Sequence, residues 1–108
     1  MATRRIVLAG GGYTDETTNE RGDVVGTITY TKDEVVTEHT EIYPDSQQTK
    51  KTSYKYGKPI TVEETYSISG DVKTIELKNG KPSVSKTIDR DGKTIETERY
   101  NENGQVYE

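Results

Sequence analysis

The side chain best suited to acid–base or metal chemistry is His39, the only histidine of the chain. Such chemistry needs carboxylates on the same side. In an extended strand Glu38 points to the opposite face, while Glu41 shares the face of His39. One histidine and one glutamate leave a zinc site incomplete. Ser, His and Asp all occur, but no G-x-S-x-G elbow marks a nucleophile. The absence of cysteine excludes disulfides, thiolate zinc sites and Cys nucleophiles. His39 reads as a solvent-facing strand residue. No catalytic residue is assigned, and the chain is expected not to be an enzyme.

Four further patterns carry possible chemistry. The run Arg4-Arg5-Ile6-Val7-Leu8-Ala9-Gly10-Gly11-Gly12 imitates the first strand and glycine loop of a dinucleotide fold. That loop needs a third glycine and then a helix facing the pyrophosphate. Asp15 stands at the third position and would repel phosphate, and no helical pattern follows. Asp89-Arg90-Asp91-Gly92 holds only a fragment of a calcium loop and reads first as a hairpin turn. Arg21-Gly22-Asp23 is the integrin-recognition tripeptide, placed in a loop, and reads first as a turn before a strand. Thr27-Ile28-Thr29-Tyr30-Thr31 sets threonines on one face, as ice-binding sheets do, but later strands break the pattern with Lys, Glu and Ser. No cofactor and no metal are expected.

Tyrosine and lysine carry the remaining candidates. Tyr54 and Tyr56 share a strand face by alternation, beside Lys50, Lys51 and Lys55. Aromatic rings beside bases suit protein interfaces and single-stranded nucleic acid. The rings also have to serve as core, because the chain has eight Tyr and neither Phe nor Trp. A net charge of −4 argues against a nucleic-acid partner.

The elements that must position these groups are strands. Leu, Ile and Val number 19 of 108 residues, close to the level where chains fail to fold alone. The residues present, mostly Thr, Val, Ile and Tyr, favour strands. From Val24 onward apolar residues alternate with period two. Val36, Glu38, Thr40 and Ile42 share one face, as do Ile60, Val62, Tyr66 and Ile68. Ile75 pairs with Leu77, and Val84 with Ile88. Ile95 and Tyr100 differ in parity, which predicts a bulge or a weak register in that strand. Asn79-Gly80, Asp91-Gly92 and Asn103-Gly104 supply hairpin turns. Tyr43-Pro44-Asp45-Ser46 supplies another. Folding there sets Glu34, Glu38 and Glu41 opposite Lys50, Lys51 and Lys55, so the charge blocks have a structural explanation.

The expected fold is all-β: an antiparallel meander of about seven or eight strands, as one twisted sheet, a partly open barrel or a thin sandwich. Residues 1–23 are expected as an arm, with a docking strand around Ile6, Val7 and Leu8 on a glycine-rich linker. Residues 24–108 form the meander. The longest apolar run is four residues, too short for a signal peptide or a membrane span. A soluble protein without a membrane partner is expected.

The segment Asn79-Gly80-Lys81, Asp91-Gly92-Lys93 and Arg99-Tyr100-Asn101-Glu102-Asn103-Gly104-Gln105 resembles the short β-hairpin repeats of MORN-variant antitoxin-like proteins and of YD-repeat proteins. The resemblance covers about the last third of the chain. It implies an extended sheet that binds other proteins and carries over no catalytic residue.

These readings lead to a non-enzymatic structural or assembly protein, stabilised by self-association or by neighbouring chains. A virus or phage particle component is one concrete form. The alternative is a small protein-binding inhibitor, of antitoxin or anti-defence type, acting through its acidic strand or its Tyr/Lys patch. The partner-binding candidates are Ile6, Val7, Leu8, Lys50, Lys51, Tyr54, Lys55 and Tyr56. The expected partner is protein, with a homo-oligomer as the simplest case.

Overall fold

A computed structural model describes residues 1–66 and 68–108. Nine strands form one sheet in chain order: β1 (Ala2–Val7), β2 (Tyr13–Thr18), β3 (Val24–Tyr30), β4 (Val36–Tyr43), β5 (Gln48–Lys55), β6 (Lys58–Tyr66), β7 (Asp71–Lys78), β8 (Lys81–Ile88) and β9 (Thr94–Arg99). Every neighbouring pair is antiparallel, and β1 never meets β9. The fold is a meander in one open, unclosed layer. The expected meander from Val24 supplies β3 to β9, and a Tyr100–Val106 bridge follows.

Two strands come from the segment expected as an arm. Tyr13–Thr18, expected as linker, is β2, paired with β1 on one side and β3 on the other. Tyr13 stacks on Tyr30 with ring centroids 4.9 Å apart. Thr14 and Thr29 share a hydroxyl hydrogen bond of 3.0 Å. These cross-strand contacts hold a strand whose own sequence has one apolar residue.

Single-residue bulges set the faces. The registers skip Val25, Thr37, Ile60, Ser83 and Ile95, each near the start of the second strand of its hairpin. The bulge at Ile95 is the one expected from parity. The others shift faces that alternation alone assigns wrongly. Val36 lies opposite Tyr30 and parts from Glu38, Thr40 and Ile42. Ile60 falls out of step with Val62 and Tyr66, and Ile68 lies in the following turn.

The turns repeat. Left-handed residues recur at Gly11, Glu34, Gly57 and Gly80, each 23 residues after the last, and again at Gly104. The chain is therefore a series of hairpin units of about that length. Lys55-Tyr56-Gly57-Lys58-Pro59 and Lys78-Asn79-Gly80-Lys81-Pro82 are equivalent stretches of two consecutive units. In four turns one side-chain oxygen accepts from two backbone N–H groups. Asn19 holds Arg21 and Asp23, and Thr31 holds Asp33 and Val35. Asp89 holds Asp91 and Lys93, and Asn101 holds Asn103 and Gln105. Asp89-Arg90-Asp91-Gly92 is thus occupied as a turn.

The single layer leaves no closed core. Among the described residues no hydrophobic side chain is fully buried, and the one buried polar residue is Ser85, 2% exposed. One face carries Tyr13, Tyr30, Val36, Tyr54, Leu77 and Tyr100 along one side, next to a row with Ile28, Val62 and Ile75. The other face is dominated by Thr, Lys and Glu, including Thr27, Thr40, Lys51, Glu63, Thr74 and Lys86. The accessible surface is 7519 Å². A closed monomer of 12.1 kDa would expose about 6,000 Å².

Candidate interaction surfaces

The two outer strands differ in how their backbones are satisfied. In the first turn Leu8 N–H donates to Gly12 at 2.8 Å. With no register shift in this hairpin, Ala2, Arg4, Ile6 and Leu8 direct their backbone groups to β2. Thr3, Arg5 and Val7 direct theirs outward, and among the described residues nothing meets them. At the other side, Arg99 N–H donates to Glu108 at 3.0 Å and Tyr107 N–H donates to the Arg99 carbonyl at 2.9 Å. An Arg99–Glu108 ion pair of 3.3 Å closes the same corner.

The β1 candidates stand at the open edge. Ile6, Val7 and Leu8 are 37%, 74% and 41% exposed. Their basic neighbours are matched from β2: Arg4 meets Glu16 at 3.0 Å, and Arg5 holds Asp15 with two bonds of 2.8 and 3.1 Å. Arg5 also lies 4.0 Å from the centre of the Tyr13 ring. The hydrogen bonds from Arg5 hold the Asp15 carboxyl below the usual carboxylate range.

The Tyr/Lys group is dispersed. Tyr56 is not a strand residue: it turns with Gly57 at φ 54° and is 89% exposed. Paired positive φ angles make Tyr56-Gly57 a tight hairpin turn. Tyr54 lies opposite Pro59 on the apolar face, and Lys50 shares that face. Lys51 points to the other face. Lys55 reaches over the Tyr56 ring at 5.7 Å. The sheet therefore does not gather these five residues into one patch.

Lys50 and Lys51 of β5 face acids on both sides, as the charge blocks imply, whereas Lys55 lies opposite Lys58 and Glu34 lies in the turn before β4. Glu41 lies opposite Lys50, and Glu64 meets Lys50 from β6. Glu63 faces Lys51, and Glu38 approaches it at 3.5 Å. Glu64 and Glu41 also accept from Tyr66 and Tyr43 hydroxyls at 2.6 Å. That bond pushes the Tyr66 phenol up to about 12.

The remaining motifs are taken up locally. Arg21 reaches Asp23 and Asp45, both at 3.2 Å, so the two charged ends of Arg21-Gly22-Asp23 bind each other. His39 lies on the apolar face between Ile28 and Thr52. A shallow depression of about 370 Å³ is lined there by Ile28, Tyr30, Val36, His39 and Tyr54. Among the described residues no three His, Asp or Glu side chains come together as a metal site. Among the described residues no helix is long and apolar enough to cross a membrane.

Sequence reasoning missed β2, the tail that bonds Arg99 of β9, and the 23-residue period. The paired Lys-x-Gly-Lys-Pro stretches were the available signal for the period. No family model matches the chain, and no curated protein matches it in sequence.

Proposed function

We propose that this chain is a non-enzymatic structural or assembly protein whose sheet is completed by neighbouring chains, copies of itself in the simplest case. One observation carries the reading: a nine-stranded layer without a buried hydrophobic side chain among the described residues. Its surface of 7519 Å² exceeds the value for a closed monomer by roughly 1,500 Å². A standard protein–protein interface covers about 800 Å² of each partner, so the excess is about twice what one such contact covers. A virus or phage particle, where each subunit is packed among others, suits such a chain.

The inhibitor reading draws less support. Its acidic strand β4 faces the lysines of β5, and its Tyr/Lys residues lie on two faces and a turn. The test is absolute mass by light scattering over a concentration series. Mass rising to a defined multiple of 12.1 kDa is expected. A folded monomer at every concentration overturns self-association and turns the search to a foreign partner.

A further inference from the structure

We propose that β1 is the assembly edge, and that its occupant is β1 of a second copy, antiparallel about a two-fold axis at Ile6. The inference rests on the self-association reading above and names the surface that carries it.

Three observations converge on this edge. Its outward backbone groups, at Thr3, Arg5 and Val7, have no partner among the described residues, while on β9 the tail bonds Arg99 and leaves only the groups before it outward. An unpaired strand edge is a template for another strand. Its exposed apolar residues are consecutive: Ile6, Val7 and Leu8. Its charge is already matched. Natural edges are commonly guarded by charge, but Arg4 and Arg5 are each tied to an acid of β2. A second cationic edge therefore approaches a nearly neutral one.

Charge and ladder geometry select the register. A two-fold axis at Arg5 or Arg4 would set like charges directly opposite, which destabilises a sheet. An axis at Ile6 sets Ile6 against Ile6 and Arg5 against Val7. It sets Arg4 against Leu8. Arg5 and Val7 both direct their backbones outward, so they form the hydrogen-bonded pairs on either side of the axis. Ile6 directs its backbone to β2 and forms a non-hydrogen-bonded pair, with Cα atoms about 4.5 Å apart. The product is one continuous sheet with β9 and its tail at both ends. The interface is isologous, so this contact by itself joins two copies.

The chain has no cysteine, so a single one reports this axis. A Cα separation of about 4.5 Å is within disulfide reach. Ile6→Cys is expected to form a disulfide dimer under mild oxidation at least tenfold faster than Tyr56→Cys, which sits in an exposed turn. Val7→Pro removes an outward N–H without touching the β2 ladder. It is expected to weaken the dimer at least tenfold with an unchanged far-ultraviolet spectrum. Fast cross-linking by Arg5→Cys instead of Ile6→Cys overturns the register. An oligomer that persists in Val7→Pro and does not cross-link through Ile6→Cys overturns the edge while leaving self-association standing. A wild-type monomer at all concentrations overturns both.

Discussion

The two ends of this sheet solve the same problem in opposite ways. At the C-terminal side the chain turns back on itself through Asn101–Gln105. Residues 106–108 then take up the outward groups of Arg99. Tyr100 reaches inward to donate to Ser85 at 3.2 Å. At the N-terminal side β1 has arginines matched from β2, a glycine turn, and outward backbone groups that have no partner among the described residues. A single layer cannot hide both edges by packing. The tail covers the β9 edge at Arg99 alone, while the outward groups of Thr97 on β9 and of Thr3, Arg5 and Val7 on β1 have no partner among the described residues. An end that is closed should contribute to stability, and an end that is open should contribute to association.

The largest test of that division is Tyr100→Ala. The substitution removes a half-buried ring and strands the Ser85 hydroxyl, the one buried polar side chain among the described residues. Ring truncation and an unsatisfied hydroxyl together should cost about 3 kcal/mol. The measurement is the urea midpoint at a concentration too low for association. Association itself should be unchanged once the variant is folded. A loss of stability under about 0.5 kcal/mol would remove the closed end from the account.

How much of this was legible in the sequence follows from where the information sits. The strands from Val24 to Arg99 were legible because β-branched residues alternate between clear turn signals. β2 was not, because Tyr-Thr-Asp-Glu-Thr-Thr has one apolar residue and owes its place to partners on both sides. Bulges are properties of a pair of strands, so one strand's parity reveals them only when two large residues disagree, as Ile95 and Tyr100 do. Val36 and Ile60 gave no such conflict. The Glu–Lys opposition of β4 and β5 was legible because charge blocks flank a recognisable turn. Tyr56 misled because a tyrosine at φ 54° is rare, and its equivalent Asn79 shows the usual residue. Which strand would be outermost was not written in any local pattern.

A smaller test exchanges the turns. The β1–β2 turn uses two consecutive left-handed residues, Gly10 at φ 92° and Gly11 at φ 94°. The Asn101 turn uses only Gly104 and adds a side-chain acceptor. Leu8→Asn copies the Asn101 acceptor into the first turn. Gly10 and Gly11 stay for their backbone angles. Gly12 stays because a Cβ there would meet the Tyr30 carbonyl oxygen at 2.7 Å. The variant should gain about 0.5 kcal/mol from the new acceptor. Denaturation at low concentration measures it. No gain would show that the glycine turn is already matched to β1.

The smallest effect distinguishes the ends by acid. Exposed ion pairs contribute little each, so the signal is local and is best read as amide protection at each pH. At the C-terminal end Glu96 is held above its ordinary value because its protonated carboxyl donates to the Glu98 carboxylate and because the Glu98 charge opposes ionisation. The folded sheet then takes up that proton before the unfolded chain does. As pH falls from neutral through the raised value, the repulsion ends and β8–β9 gains protection. At the open end Asp15 is held below its ordinary value of 3.8 by Arg5. Its contribution is complete above that value and is lost as pH falls through the lowered one. Acid should therefore tighten β9 first and loosen β1 afterwards, in separate pH windows. Loss of protection at both edges in one window would mean that the sheet responds as a whole and that its two ends are not independent.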